Sequence, residues 1–213
     1  QYQSHNILKN EDRIRILKDI IEENHFQIEN EMEWIQYMTA CISRKKAVVW
    51  KDTSSDTEDP VRQNIFEDFQ RKCMEERRLD FDDMLIQCYK LLSEHRDILE
   101  EWRRQYQYFM IDEFQDINEL QYSVIRMLAG DDENIFAVGD DDQSIYGFRG
   151  AGPEIMLGFK KDYPIAKQVI LNQNYRSTDK IVTASEKLIS HNRNRYAKNM
   201  TAVHRAAEEV QIR

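Results

Sequence analysis

Two short apolar runs, each ending on carboxylates, constrain this chain more than anything else in it. "YFMID" (residues 108–112) leads straight into Glu113, with a further carboxylate at Asp116, and "NIFAVGD" (134–140) leads into Asp141 and Asp142. Between them the apolar residues from Leu120 to Leu128 recur at helical spacing. Continuous apolar strands alternating with helices are the pattern of a parallel sheet buried on both faces. "KQVIL" (167–171) reads as a third strand, followed by a helix opening at "RSTDK" (176–180). The expected fold class is therefore α/β. Ligands in such sheets collect at the carboxyl ends of the strands, where both acidic clusters fall.

The first third reads as helices. Asn10 is a candidate cap for a helix carrying Ile14, Leu17, Ile20 and Ile21, with Glu11 and Asp12 in its first turn. Ile28, Met32, Ile35 and Ile42 suggest a second helix, and Val61, Ile65, Phe66, Phe69 and Cys73 another. "KDTSSDTEDP" (51–60) has no apolar anchor and reads as a mobile loop. A helix from Phe81 carries Met84, Leu85, Cys88, Leu91 and Leu92 on one face.

Composition narrows the function classes. With 41% hydrophobic and 32% charged residues, the 213-residue chain reads as globular and helix-rich. No apolar run approaches the roughly 20 residues of a membrane span, and no signal-peptide pattern opens the sequence. Cys41, Cys73 and Cys88 form neither a metal-ligand pair nor an even disulfide set, which suits a reducing, cytoplasmic setting. The net charge of −9 argues against a generic basic coat for nucleic acid. Local basic tracks remain at Arg44–Lys46, at Arg71, Lys72, Arg77 and Arg78, and at Arg193, Arg195 and Lys198.

A strand ending in Asp-Glu suits nucleotide hydrolysis. Asp112 is placed to hold Mg²⁺, commonly through water because Mg²⁺ keeps most of its hydration shell, and Glu113 to orient or deprotonate the attacking water. In "VGDDDQSIYGFRGA" (138–151), Gln143 is placed to reach a γ-phosphate. Tyr146, Phe148 and Arg149 offer two flat rings and a cation, a combination that grips single-stranded nucleic acid. In "LNQNYRS" (171–177), Tyr175 is placed to stack on a base and Arg176 to meet a phosphate.

Together, "DEFQD", "GDDDQSIYGFRGA" and "QNYRS" closely resemble the Walker B, third and fourth motifs of the UvrD/Rep family of superfamily 1 DNA helicases. "LDFDDML" (79–85) and "HNRNRYAKN" (191–199) resemble further segments of that family. The resemblance implies ATP and Mg²⁺ as cofactors and single-stranded DNA and DNA junctions as partners, with no membrane. It implies Mg²⁺ at Asp112, the catalytic water at Glu113 and γ-phosphate sensing at Gln143. Tyr175 would stack on adenine, Arg176 would act as a finger from the second motor domain, and Tyr146, Phe148 and Arg149 would contact the strand. Phe148 stands where relatives often have tryptophan.

The resemblance also implies an organisation: a helical insertion over 1–78, the rear of a first RecA-like domain over 79–164, and the start of a second over 165–213. The join is expected near residues 162–167. The glycines at 130, 139, 147, 150, 152 and 158 do not form G-x-x-x-x-G-K-[ST]. The chain is therefore expected to be an internal piece of a longer helicase, inactive alone, with "EEVQIR" (208–213) opening a further strand. Two other readings compete. One is a metal-dependent nuclease using Asp112, Glu113 and Asp140 to Asp142 around two ions. The other is a non-enzymatic module that binds DNA or a partner.

Overall fold

The computed structural model describes residues 3–50, 59–147 and 150–206. The chain forms two compact units, Gln1–Phe109 with Asn118–Asn134, and Met110–Ile117 with Ile135–Arg213. The "KDTSSDTED" stretch up to residue 58, the Phe148–Arg149 pair and "EEVQIR" lie outside the described residues.

The first unit is helical: α1 (Asn10–Glu23), α2 (Glu31–Val49), α3 (Pro60–Glu75), α4 (Phe81–Glu94), α5 (Arg96–Gln105) and α6 (Glu119–Ala129). The apolar spacing read from the sequence becomes one core, in which Ile16, Leu17, Ile20 and Phe69 are wholly buried and Ile35, Met38, Ile42, Ile65 and Cys73 nearly so. A second cluster joins Leu92 of α4, Leu99 of α5 and Val124 of α6. Caps fix the boundaries. Asp59 accepts from Val61 N–H ahead of Pro60, and Asn118 and Gln121 bond each other's backbone reciprocally at 2.9 Å. Asn10 is not the cap of α1. Lys9 takes that position, and the Asp12 carboxylate turns back to accept its N–H. The α6 helix ends at Gly130, at φ +56°, and the Arg103 guanidinium donates twice to the Met127 carbonyl there, leaving a Cβ at Gly130 no room.

Two expectations for this unit need correction. The buried face of α4 is Asp83, Ile86 and Leu92, while Met84, Cys88 and Leu91 are exposed. The cause is polar: Asp80 and Asp83 at the start of α4 take the buried side to meet Lys46. Lys46, read in the sequence as part of a basic track, is 1% exposed. Its ammonium lies 2.8 Å from Asp80 and 2.6 Å from Asp83, with Arg13 3.6 Å from Asp80. Asp80 and Asp83 also complete the α4 capping box. Burial opposes ionisation of both carboxylates. At Asp80 the Lys46 charge and the hydrogen bonds outweigh it and lower the pKa, whereas Asp83, beside the Asp80 charge, is left raised. The Cys73 thiol in the same core is pushed up to about 12 by burial, which makes it an inert packing group.

The strand β1 (Phe109–Ile111), of the second unit from Met110 onward, pairs with β2 (Ile135–Ala137). The bonds Phe109 N–H to Asn134 O and Val138 N–H to Ile111 O advance along both strands together, which is the parallel arrangement expected. Helix α7 (Pro153–Asp162) sets Phe159 edge-on to Phe114 and against Tyr163. The parallel pair β3 (Gln173–Thr178) and β4 (Thr201–His204) flanks α8 (Asp179–Ile189), which buries Val182. The third strand is thus "QNYRST", not "KQVIL". Residues 167–171 have no ladder partner among the described residues, and pairing starts where Thr201 N–H donates to Asn172 O.

Two stability outcomes follow, each measurable by urea unfolding of the chain. Phe69→Ala should cost about 3–5 kcal/mol, since it empties a site with no exposure. Lys46→Met should cost about 3–5 kcal/mol near neutral pH, because two buried carboxylates lose their cation. That loss should shrink as acid protonates Asp80 and Asp83. In the unsubstituted chain the Asp80 contribution follows the same course. Its folded pKa is lowered, so the stabilisation is present above the unfolded value and lost as the pH falls through the folded one.

Candidate nucleotide and DNA site

The end of β1 is built by a reversal of the backbone. Asp112 and Glu113 are exposed, and an Asp112 carboxylate oxygen accepts Glu113 N–H at 2.9 Å. Glu113 then adopts a left-handed φ of +51°, an uncommon conformation for a residue with a side chain, and a 3-10 turn follows at Phe114–Asp116. Phe114 N–H donates to Val138 O at 2.9 Å, so the pairing of the two strand ends continues through the turn. Asp116, the further carboxylate of this segment, has one buried oxygen without a hydrogen bond among the described residues.

The end of β2 lies directly beside it. Gln143 donates from Nε2 to Asp140 Oδ2 at 2.7 Å, and Asp140 N–H donates to the side-chain oxygen of Gln115 at 2.9 Å. Gln115 also donates from Nε2 to Glu113 Oε2 at 2.6 Å. Gly139 makes this approach possible, because a Cβ there would stand 2.6 Å from the Gln115 oxygen and 3.1 Å from Phe114 N. Thus Glu113, Asp140 and Gln143, at the two strand ends, are joined through Gln115, with Asp112 next to Glu113 in the chain. Gln115 was not among the residues singled out from the sequence. Its signal was its place inside "DEFQD", between two carboxylates, in a turn that must satisfy its own polar groups.

The aspartates after β2 are already paired. Arg195 grips Asp142 through Nε at 2.7 Å and Nη2 at 2.6 Å, a two-pronged geometry. Lys198 forms ion pairs with Asp140, Asp141 and Asp142, and Tyr196 N–H donates to Asp141 at 2.8 Å. Burial opposes ionisation at Asp140, yet the bonds from Lys198 and Gln143 hold its pKa below the usual value. Burial likewise works against Lys198, whose carboxylate partners nonetheless raise its pKa. The Arg195 guanidinium is raised by its bond to Asp142. Two cations of the supposed basic track are therefore spent on carboxylates. The arrangement disfavours the nuclease reading, because the aspartates it requires for two ions already hold Lys198 and Arg195.

Tyr175 and Arg176 sit on the other strand pair. The register Gln173 to Thr201, Asn174 to Ala202 and Thr178 to His204 leaves extra residues on β3, and Asn174 Oδ1 accepts the N–H groups of Arg176 and Ser177 at 2.9 and 2.8 Å. Both side chains are exposed on this bulge; the Tyr175 hydroxyl donates to Gln173. They are not joined to the carboxylate group by any hydrogen bond or ion pair among the described residues. Tyr146 is half-buried, whereas Phe148 and Arg149 lie outside the described residues.

Comparison with known proteins supplies the family. YjcD of Bacillus subtilis (strain 168) is 46% identical over 148 residues, covering 70% of this chain and 19% of YjcD. The ATP-dependent DNA helicase PcrA of the same organism is 42% identical over 142 residues, 67% of this chain and 19% of that protein. DNA helicase II of Rickettsia typhi (strain ATCC VR-144 / Wilmington) is 36% identical over 217 aligned positions, 97% of this chain and 32% of that protein. The chain thus spans about a fifth to a third of the length of these relatives. A family model described as the UvrD/REP helicase N-terminal domain matches residues 2–164, most of the sequence. The chain belongs to the UvrD/Rep helicase family.

Proposed function

We propose that this chain forms part of an ATP-dependent DNA helicase that couples Mg-ATP hydrolysis to movement along single-stranded DNA and to unwinding of duplex junctions. The observation that supports this reading is the hydrogen-bonded link from Glu113, beside Asp112 at the end of β1, through Gln115 to Asp140 and Gln143 at the end of β2. Asp112 has one carboxylate oxygen bonded to the backbone and a second open, a hard oxygen donor suited to Mg²⁺ held through water. Bound Mg²⁺ would neutralise charge on the phosphates. Glu113 has one oxygen tethered to Gln115, and its other oxygen would orient the attacking water. Gln143, exposed and anchored on Asp140, would exchange that bond for a γ-phosphate oxygen.

Tyr175 and Arg176, carried together on the β3 bulge, would stack on adenine and approach the transferring phosphoryl group. Tyr146, Phe148 and Arg149 would meet the DNA strand. In the domain assignment we favour, residues 1–78 form a helical insertion, 79–164 the rear of the first motor domain and 165–213 the start of the second, in a DNA-repair or related cytoplasmic setting. The sequence contains no G-x-x-x-x-G-K-[ST] to cradle phosphates, so the 213 residues alone are expected to hydrolyse no ATP.

Kinetics in the full helicase test this directly. Arg176→Ala should lower kcat for ATP by about 10³–10⁵-fold with little change in nucleotide-free DNA binding, because a finger acts on charge that develops in the transition state. Tyr175→Ala should instead raise KM with kcat largely kept, since stacking is shared by the ground and transition states. Normal turnover in Arg176→Ala would reject the assignment. For the strand, Tyr146→Ala should weaken single-stranded DNA binding by about 1–3 kcal/mol in a fluorescence titration.

A further inference from the structure

We propose that Gln115 is a positioning residue, whose side-chain amide orients the Glu113 carboxylate and ties it to the loop that carries Gln143. The inference rests on the role proposed above for Glu113. Gln115 is 1% exposed, and a buried amide must find partners for both its donor and its acceptor. It finds one on each strand end: Nε2 donates to Glu113 Oε2 at 2.6 Å, and Oε1 accepts Asp140 N–H at 2.9 Å. Asp140 then accepts from Gln143 Nε2 at 2.7 Å. An unbroken path of hydrogen bonds therefore runs from Glu113 to Gln143. Without it, an exposed glutamate side chain rotates freely and its carboxylate has no fixed direction.

The backbone is shaped around this crossbar. Glu113 adopts a left-handed φ and Gly139 omits the side chain that would strike Gln115 Oε1 at 2.6 Å. Ser144 adds a bond to the Gln115 carbonyl at 3.3 Å. Only a primary amide of this length supplies a donor to one strand end and an acceptor to the other. Glutamate retains the acceptor and loses the donor. Methionine retains the volume and loses both.

That difference makes the test. In the full helicase, Gln115→Glu and Gln115→Met should each lower kcat for ATP by about 10–100-fold, the usual effect of removing a partner that orients a reacting group, with KM for ATP nearly unchanged. Gly139→Ala, which displaces the amide without changing its chemistry, should lower kcat in the same way. In a Glu113→Gln background, measured under single-turnover conditions, none of these substitutions should add a further loss. In the 213-residue chain, hydrogen exchange at Asp140 N–H should stay slow in Gln115→Glu and become faster in Gln115→Met. Unchanged kcat in the Gln115 variants, alongside lost turnover in Glu113→Gln, would overturn the positioning role and leave that of Glu113 standing. So would an additive loss in the double variant, or equal exchange at Asp140 in both Gln115 variants. Turnover surviving Glu113→Gln would instead overturn the role of Glu113 itself.

Discussion

The parallel pairing of β1 with β2 is the constraint from which the site follows. Once Val138 N–H donates to Ile111 O, the two carboxyl ends lie side by side, and the residues after each strand have no choice but to meet. The meeting places like charges together, Asp112 and Glu113 against Asp140 to Asp142. A cluster of this kind is stable only if donors and cations are brought to it. Gln115 supplies amide hydrogens and an acceptor at its centre, and Lys198 and Arg195 supply positive charge at its edge. Among the described residues, one oxygen of Asp112 and one oxygen of Glu113 remain open, beside the exposed Gln143.

The helical unit solves a related problem differently. Lys46, Asp80 and Asp83 are removed from water almost entirely, and the two carboxylates do double duty as the capping box of α4. Replacing such a group by apolar residues often leaves a protein as stable or more so, while breaking it on one side is costly. Its effect here is specificity of arrangement. The ammonium on α2 can reach both carboxylates only when α4 begins at Phe81 and turns its polar first turn inward, which explains why the apolar face expected for α4 is partly exposed. The same requirement rotates Met84, Cys88 and Leu91 outward.

Several large apolar side chains on the strand pairs are open to solvent, among them Met110 at 80% and Phe136 at 64% exposure. Strands that read as continuous apolar runs are built for cover on both faces, and here one face of β1 and β2 has it only in part.

The sequence by itself determined the short-range features: the helices of the first third, that the first two strands run parallel, and that Asp112, Glu113, Asp140 and Gln143 follow their ends. Those follow from period, caps and the geometry of a strand–helix–strand unit, all of which act over a few residues. It also carried the family, because the three motifs hold their chemistry in contiguous residues. Only the tertiary structure decided which charges are spent and which are free. Lys46 reads like its neighbours Arg44 and Lys45 until Asp80 is found beside it, 34 residues away. Lys198 and Arg195 read as a basic track until they close on aspartates 53 to 58 residues upstream. "KQVIL" has the composition of a strand, yet strand structure needs a partner ladder, and the ladder forms at "QNYRST" instead. The role of Gln115 was hidden for the same reason, since a glutamine between two carboxylates becomes a crossbar only when another strand brings Asp140 N–H within 2.9 Å of it. Propensity is local and can be read along a chain, whereas charge pairing and hydrogen-bond satisfaction depend on neighbours that only folding supplies.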